Sequence, residues 1–314
     1  MKVLLNIAKG FVTVKSAGRL VVLLYLLNLG LAMVLAVPMH DSLSSSLGRS
    51  QAGEQMERSF DYLWWEEYRD RGRGLAETFG PSIIGRGALL NNLEGLLQMT
   101  LVKLPSVILL ILLIYILLHT FLAGGILAIY KDDLPRFDLG RFLQGALSYL
   151  PNFLGLTVLS WVFFFGVAFL LIPRLGDVVQ SVSEGSRTEL PGFWLGLAAG
   201  LITWILFLLI QMVFDYARIQ TVFGERRNIF RALAGSLAFV ARHPLATVGL
   251  SAMFWAGNIL ISVIYVIIQE AWAPAGPGGV LLTFAWQQVF ILGLVGLRCW
   301  TYAGELHLAR FFRG

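Results

Sequence analysis

Residues 107–118 read VILLILLIYILL, an uninterrupted apolar run that decides what kind of protein this is. At about −0.3 to −0.6 kcal/mol for each Leu, Ile or Val near the centre of a helix, the run favours membrane insertion by roughly 5 kcal/mol. A hydrocarbon core of roughly 30 Å needs about 20 helical residues, and the wider segment Pro105–Ile129 supplies them. The run therefore predicts a transmembrane helix.

The composition of the whole chain agrees with that prediction. Of 314 residues, 57% are hydrophobic and only 14% are charged, whereas a water-soluble domain needs more charges to cover its surface. We expect one polytopic membrane domain over residues 1–314, all-α, with six transmembrane helices. The predicted spans are Leu20–Met39, Pro105–Ile129, Phe153–Pro173, Gly192–Phe214, Leu245–Ile268 and Val280–Gly296.

The basic residues predict the orientation of these spans. The N-terminus, residues 131–150, residues 215–244 and the C-terminal tail each carry three to five Lys or Arg, and they fall on one side of the membrane. By the positive-inside rule this side is cytoplasmic, so both termini are expected inside a bacterial inner membrane. The net charge of +5 is then a signal of topology, and we expect no nucleic acid partner.

Residues 215–244 form a cytoplasmic amphipathic connection in this scheme. Ile229, Leu233, Leu237 and Val240 recur at helical spacing on one face, with arginines on the opposite face. Such a helix suits the headgroup layer, with its arginines toward lipid phosphates. Lipid or partner contacts are therefore predicted at Arg226, Arg227, Arg231 and Arg242.

Two other stretches with the same character precede the first and third spans. We therefore expect three units, each an interfacial helix followed by a helical hairpin. The units begin near Met1, Phe137 and Asn228.

The long segment between the first two spans, residues 40–104, is expected to form a helical cap on the extracytoplasmic side. Trp64 and Trp65 lie in its SFDYLWWEEYRDRGRG stretch, and indoles favour membrane interfaces. Both are predicted to contact lipid or a partner, either a membrane or a periplasmic protein. The alternative is a lid that packs only on its own spans.

Polar residues inside the predicted spans suggest a second kind of site. Such groups are costly unless they are paired, so they are expected to face the bundle interior. They either make hydrogen bonds between helices or form a polar ligand or proton site. Asp215 and Arg218 are expected to form an ion pair. The possible intramembrane cluster consists of Asn28, His119, Asn258, Gln287 and Gln288.

Close helix packing is predicted in the fourth span. Gly192, Gly196 and Gly200 form a GxxxGxxxG strip, which lets another backbone approach. The partner is either another span of this chain or a second copy, so a homodimer stays open.

Motifs of catalysis are missing from the sequence. It contains no G-x-S-x-G, H-E-x-x-H or Walker motif. The predicted topology also keeps the four histidines apart. We therefore predict no enzyme activity, no cofactor and no metal site.

Three stretches carry a resemblance to known proteins: FLAGGILAIY (121–130), FLQGALSYLPNFLGL (142–156) and residues 215–244. The last contains the pattern R-A-x-x-x-S-x-x-x-V-x-R-x-P. Together they resemble uncharacterised bacterial six-span membrane proteins and, more distantly, the membrane domain associated with some glycerophosphodiester phosphodiesterases. The resemblance implies a helical bundle, and it carries over no catalytic residue because the soluble phosphodiesterase domain is missing.

Two functions from different classes follow from these patterns. The first is a non-catalytic scaffold or accessory subunit that engages partner proteins or lipids. The second is the membrane subunit of a transporter, coupled to a separate ATPase through residues 215–244.

Overall fold

The computed structural model of the chain describes residues 2–48, 61–76, 79, 106–131, 136–186, 188–224, 228–271 and 276–313. Nearly all of these residues are helical, and none of them lies in a β-strand. The helices are α1 (Lys2–Ser16), α2 (Gly18–Leu47), α3 (Tyr62–Arg71), α4 (Ser106–Tyr130), α5 (Leu139–Gly166), α6 (Ile172–Gly185), α7 (Leu190–Gly224), α8 (Ile229–Arg242), α9 (Pro244–Ala271) and α10 (Gly276–Phe311).

Six stretches among the described residues are long and apolar enough to cross a membrane. They lie in α2, α4, the continuous α5–α6 stretch, α7, α9 and α10. The predicted all-α, six-span fold class is confirmed. The chain is a multipass membrane protein.

Two spans are longer than their hydropathy suggested. Helix α7 continues ten residues past Phe214, and α10 continues fifteen residues past Gly296. The predicted ends lay at the first charges, Asp215 and Arg298. Asp215 and Arg298 form an ion pair between the two helices. Because each charge is compensated by the other, both helices continue past these residues.

The second predicted interfacial helix does not stand apart from its span. Asp138 caps the start of α5, accepting a hydrogen bond from the backbone nitrogen of Arg141 at 2.7 Å. From there one helix runs through Pro151 to Gly166. A π-helical turn at Val167–Leu171 then leads into α6.

The chain divides into two compact units, and unit 1 comprises Met1–Val22, His119–Ile264 and Pro274–Gly314. In α4, α7 and α10 most buried residues lie near the C-terminal ends: residues 120–130, 212–222 and 297–309. The earlier turns of α7 and α10 expose mainly large apolar side chains. The core of unit 1 therefore lies at the end where the two charges meet.

Helix α1 packs against this end of α10. The indole nitrogen of Trp300 donates to the carbonyl oxygen of Ile7 at 2.7 Å, and the Trp300 ring lies 5.2 Å from that of Phe11. A methyl group added at Gly10 would lie 2.9 Å from the backbone nitrogen of Gly304. Only glycine allows the two backbones to approach this closely.

Unit 2 comprises Leu23–Leu118 and Tyr265–Ala273, and it contains the described part of the predicted cap. Asp61 caps α3 by accepting from the backbone nitrogens of Leu63 and Trp64. Tyr68 then hydrogen-bonds through its hydroxyl to Ser42 of α2 at 2.8 Å. The segment between the first two spans is thus helical over residues 62–71 and packs on the end of α2.

Candidate functional site

The centre of the site is the carboxylate of Asp215, on α7, of which only 2% is exposed. Arg298 of α10 donates two hydrogen bonds to this carboxylate, from Nη1 to Oδ2 at 2.9 Å and from Nη2 to Oδ1 at 3.0 Å. Bidentate pairs of this kind are among the strongest hydrogen-bonded contacts between side chains. This pair joins residues that are 83 positions apart.

A second guanidinium completes the charge compensation. Arg218, one turn after Asp215, donates from Nη1 to Oδ1 at 2.8 Å, which confirms the predicted ion pair. Its Nη2 donates to Thr157 of α5 at 3.2 Å, and the hydroxyls of Thr157 and Thr120 lie 3.3 Å apart. The network therefore ties α7 to α4, α5 and α10.

The spacing along α10 aligns several polar groups on one face. Arg298 donates to the hydroxyl of Tyr302 at 2.9 Å, with its guanidinium 4.4 Å from the Tyr302 ring centre. Thr301 and Glu305 follow at i+3 and i+7 from Arg298, positions that share a helical face. The same face that holds Asp215 therefore carries a further carboxyl group.

A cavity of about 330 Å³ opens beside this network, between α7, α9 and α10. Its wall combines the charged residues with amides, hydroxyls and aromatic rings. The polar lining is Gln211, Asp215, Ser251, Asn258, Arg298, Thr301 and Glu305, and the apolar lining is Trp204, Leu208, Met212, Phe254, Trp255 and Ile259.

Two of the lining residues have buried polar atoms that the described part of the protein leaves without a hydrogen-bond partner. They are Oε2 of Glu305 and Oγ of Ser251, on side chains that are 1% and 2% exposed. A buried polar atom without a partner costs about 1–3 kcal/mol. Such atoms in the wall of a cavity mark a place where a ligand can supply the missing bonds.

The predicted polar cluster is only partly assembled. Asn258 lines the cavity, with its amide nitrogen donating to the carbonyl of Phe254 at 3.0 Å. His119 is half-buried and lies within electrostatic range of Arg298. Gln287 and Gln288 are half-buried in an earlier part of α10, before Arg298, and they lie outside the cavity lining.

Asn28, the fifth predicted member, belongs to unit 2. Its amide nitrogen donates to the carbonyl of Leu24, four residues earlier in α2, at 2.9 Å. This bond satisfies the amide nitrogen within its own helix.

Sequence reasoning missed Arg298 and Glu305 because both follow the predicted end of the sixth span. Arg298 was counted among the basic residues of a cytoplasmic tail. The signal that could have found them is the spacing Arg298, Tyr302, Glu305, which repeats at helical intervals directly after an apolar run. That spacing indicates a continuing helix with one polar face.

The predicted lipid-facing arginines have different outcomes. Arg226 and Arg227 lie outside the described residues, whereas Arg231 and Arg242 are exposed on α8. The buried face of α8 centres on Ala232, Leu233 and Ser236. Leu237, predicted on the apolar face that meets acyl chains or the bundle, is exposed.

Trp64 packs within the protein, so little of its indole is available for the predicted contact with lipid or a partner. Only 8% of it is exposed, and it stacks on Tyr68 with ring centres 5.1 Å apart. Its indole nitrogen donates to Ser46 of α2 at 3.2 Å. Trp65 is half-buried and donates to the carbonyl of Phe79. These contacts match the lid alternative for the described part of the segment.

The glycine strip of α7 meets another part of the same chain at its first two positions. A methyl group at Gly192 would collide with Ser183 of α6, and one at Gly196 would lie 3.7 Å from Val179. Nothing lies within 4 Å of a methyl group at Gly200. The close approach is thus confined to the first turns of α7.

Within the described ranges, no group of three His, Cys, Asp or Glu side chains is placed to hold a metal ion. The groups that do come together are one unpartnered carboxylate oxygen, an unpartnered hydroxyl, two amides and three aromatic rings around a single cavity. This set can accept hydrogen bonds and can surround a small polar or cationic group. No protein-family model, curated protein or solved structure matches the chain.

Proposed function

We propose that this chain is a non-catalytic membrane subunit that binds a small organic cation in the cavity between α7, α9 and α10. Binding there serves transport of the cation across the membrane. This is the second of the two roles expected from the sequence. The observation that carries it is the buried, unpartnered carboxylate oxygen of Glu305 in the cavity wall.

The two carboxyl groups at the cavity differ in how closely their charge is compensated. Asp215 is already compensated by Arg218 and Arg298, each within 3.0 Å. Glu305 has no ion pair among the described residues, although it is equally buried. A buried carboxylate is stabilised by a counter-charge with hydrogen-bond donors, and an ammonium group provides both.

The aromatic wall supports the same ligand class. Trp204, Phe254 and Trp255 line the cavity beside its polar groups. Aromatic faces attract cations, and this attraction grows where water is excluded. A volume of about 330 Å³ lies at the lower end of the range for small-molecule sites, which is roughly 300–1,000 Å³. The ligand we propose is therefore an amine of a few carbon atoms.

The contact of α8 with α7 supports coupling of this site to a partner. The hydroxyl of Ser236, which is fully buried, donates to the carbonyl of Val213 at 2.6 Å, two residues before Asp215. The outward side of α8 presents Phe230 and Arg231. A separate ATPase that binds α8 and moves it would therefore also move the turn of α7 that carries Asp215.

We also propose that the chain lies in a bacterial inner membrane with both termini cytoplasmic. The contact of α1 with the end of α10, through Ile7 and Trp300, supports placing both termini on one side. The basic residues of α8 and of the C-terminal turn favour the cytoplasmic side. In the same scheme, the arginines of α8 face anionic lipid headgroups.

The scaffold role stays a prediction from the sequence. Co-purification in a mild detergent separates it from transport. A nucleotide-binding subunit present in stoichiometric amounts favours the transport role, whereas a partner without a nucleotide site favours the scaffold.

The ligand proposal is tested with butylamine and its neutral analogue butanol. Both are titrated into the full chain in detergent micelles, and binding is followed by the fluorescence of the tryptophans. We expect butylamine to bind and butanol not to bind. In the Glu305→Gln variant the affinity for butylamine should fall about tenfold or more, because one charge-assisted hydrogen bond contributes about 1.5–3 kcal/mol.

The matched control is Glu184→Gln, which neutralises an exposed carboxylate of α6 that accepts a hydrogen bond from Gln180. It should leave the affinity for butylamine unchanged. Equal binding of butylamine and butanol, or an unchanged affinity in Glu305→Gln, contradicts a cation site in this cavity.

A further inference from the structure

A second concave surface lies between α1 and the end of α10. It is a groove of about 620 Å³ formed by one face of α1 and the last turns of α10. Lys9 and Arg310 line it together with His307, and none of its lining residues is Asp or Glu. The groove therefore attracts anions.

Two of the groups that line the groove, both on α10, are held by hydrogen bonds. Nε2 of His307 lies 2.8 Å from the hydroxyl of Thr13. The guanidinium of Arg310 donates to the carbonyl oxygens of Tyr130, the last residue of α4, and of Lys131. Groups fixed in this way lose little conformational freedom when an anion binds.

The rim of the groove is apolar. Leu5 and Val12 of α1 and Phe311 of α10 all line it, and all three are substantially exposed. A soluble anion would gain no favourable contact from these apolar side chains. Fixed basic groups beside exposed apolar side chains match a molecule with a negative headgroup and hydrocarbon chains.

We propose that the groove between α1 and the end of α10 binds an anionic phospholipid. Its phosphate lies by Lys9 and Arg310, and an acyl chain runs along Leu5, Val12 and Phe311. Helix α10 is long and apolar enough to cross a membrane and ends at Phe311, and we place the groove among the lipid headgroups at this end. This site is separate from the cavity at Glu305 and does not depend on the proposed transport role.

Native mass spectrometry of the full chain in detergent tests the proposal. Phosphatidylglycerol, which is anionic, is compared with phosphatidylcholine, which has no net charge. We expect tighter binding of phosphatidylglycerol and about fivefold weaker binding in Lys9→Gln, because each basic residue near an anionic surface contributes by roughly that factor.

The matched control is Lys15→Gln, which removes the same charge from an exposed position of α1 outside the groove. It should bind phosphatidylglycerol as the unsubstituted chain does. Both variants must keep the helical circular dichroism and the elution volume of the unsubstituted chain, which separates loss of the site from loss of the fold.

Three results would overturn the proposal. The first is equal binding of the two lipids, and the second is an equal effect of the two lysine substitutions. The third is displacement of phosphatidylglycerol by millimolar inorganic phosphate, which would assign the groove to a soluble anion.

Discussion

The buried ion-pair network offers the sharpest test of how unit 1 is held together. Replacing Asp215 by Asn removes the negative charge between Arg218 and Arg298, three of whose guanidinium nitrogens lie within 3.0 Å of its carboxylate. Removing one partner from a buried ion pair costs about 3–5 kcal/mol, because the remaining charge is left without compensation; the side chain of Arg298 is 38% exposed, so the loss here lies at the lower end, about 3 kcal/mol. We therefore expect Asp215→Asn to lower the free energy of unfolding by about this amount.

The companion substitution Arg298→Met should cost less. It removes two hydrogen bonds to Asp215, but Arg218 still neutralises the carboxylate, so no charge is left without compensation. When both residues are replaced, only one uncompensated guanidinium remains. The double variant should therefore lose about 2 kcal/mol less than the sum of the two single variants, which is within the range measured for coupled neighbours.

The assay is reversible unfolding of the detergent-solubilised chain by sodium dodecyl sulfate, followed by tryptophan fluorescence. Arg174→Met provides the control, since Arg174 is exposed on α6, and its effect should add to that of Asp215→Asn. Additive effects of Asp215→Asn and Arg298→Met would refute the argument, because they would show that the two side chains do not interact in the folded protein.

Two further pairs of substitutions, each a test and its control, probe the packing in unit 1. Gly10→Ala should lower the free energy of unfolding by about 1–3 kcal/mol, because the new methyl group would lie 2.9 Å from the backbone of Gly304; Gly200→Ala, with open space around it, should be neutral or stabilise by up to about 1 kcal/mol. Ser236→Ala should cost about 1 kcal/mol by removing the bond to the carbonyl of Val213, while Ser181→Ala, on the exposed face of α6, should cost less. The same unfolding assay measures both pairs, and equal losses within a pair would contradict the contacts assigned here.

Local patterns in the chain predicted part of the site. The Asp215–Arg218 pair follows from their separation by one helical turn, because that spacing places both side chains on one face of any helix. Asn258 was expected to face the bundle interior because it is polar within an apolar run; it lines the cavity but is exposed. In both cases a single helix contains the whole signal.

The burial of Trp64 shows where local patterns fail. Its indole was expected at a membrane interface because of its neighbours in sequence. It is covered instead by Tyr68 and by residues of α2, among them Ser46. A residue's exposure depends on what packs against it, and that information lies in a different part of the chain.

The six spans were determined by the sequence alone, because the free energy of placing a helix in hydrocarbon is a sum over its own side chains. Only the tertiary structure decided three features: the Asp215–Arg298 pair, the cavity beside it, and the lack of an ion pair at Glu305 among the described residues. They depend on the rotation and depth at which α7, α9 and α10 meet. Shape complementarity between helices and the mutual neutralisation of distant charges set both quantities, and neither can be read from one helix at a time.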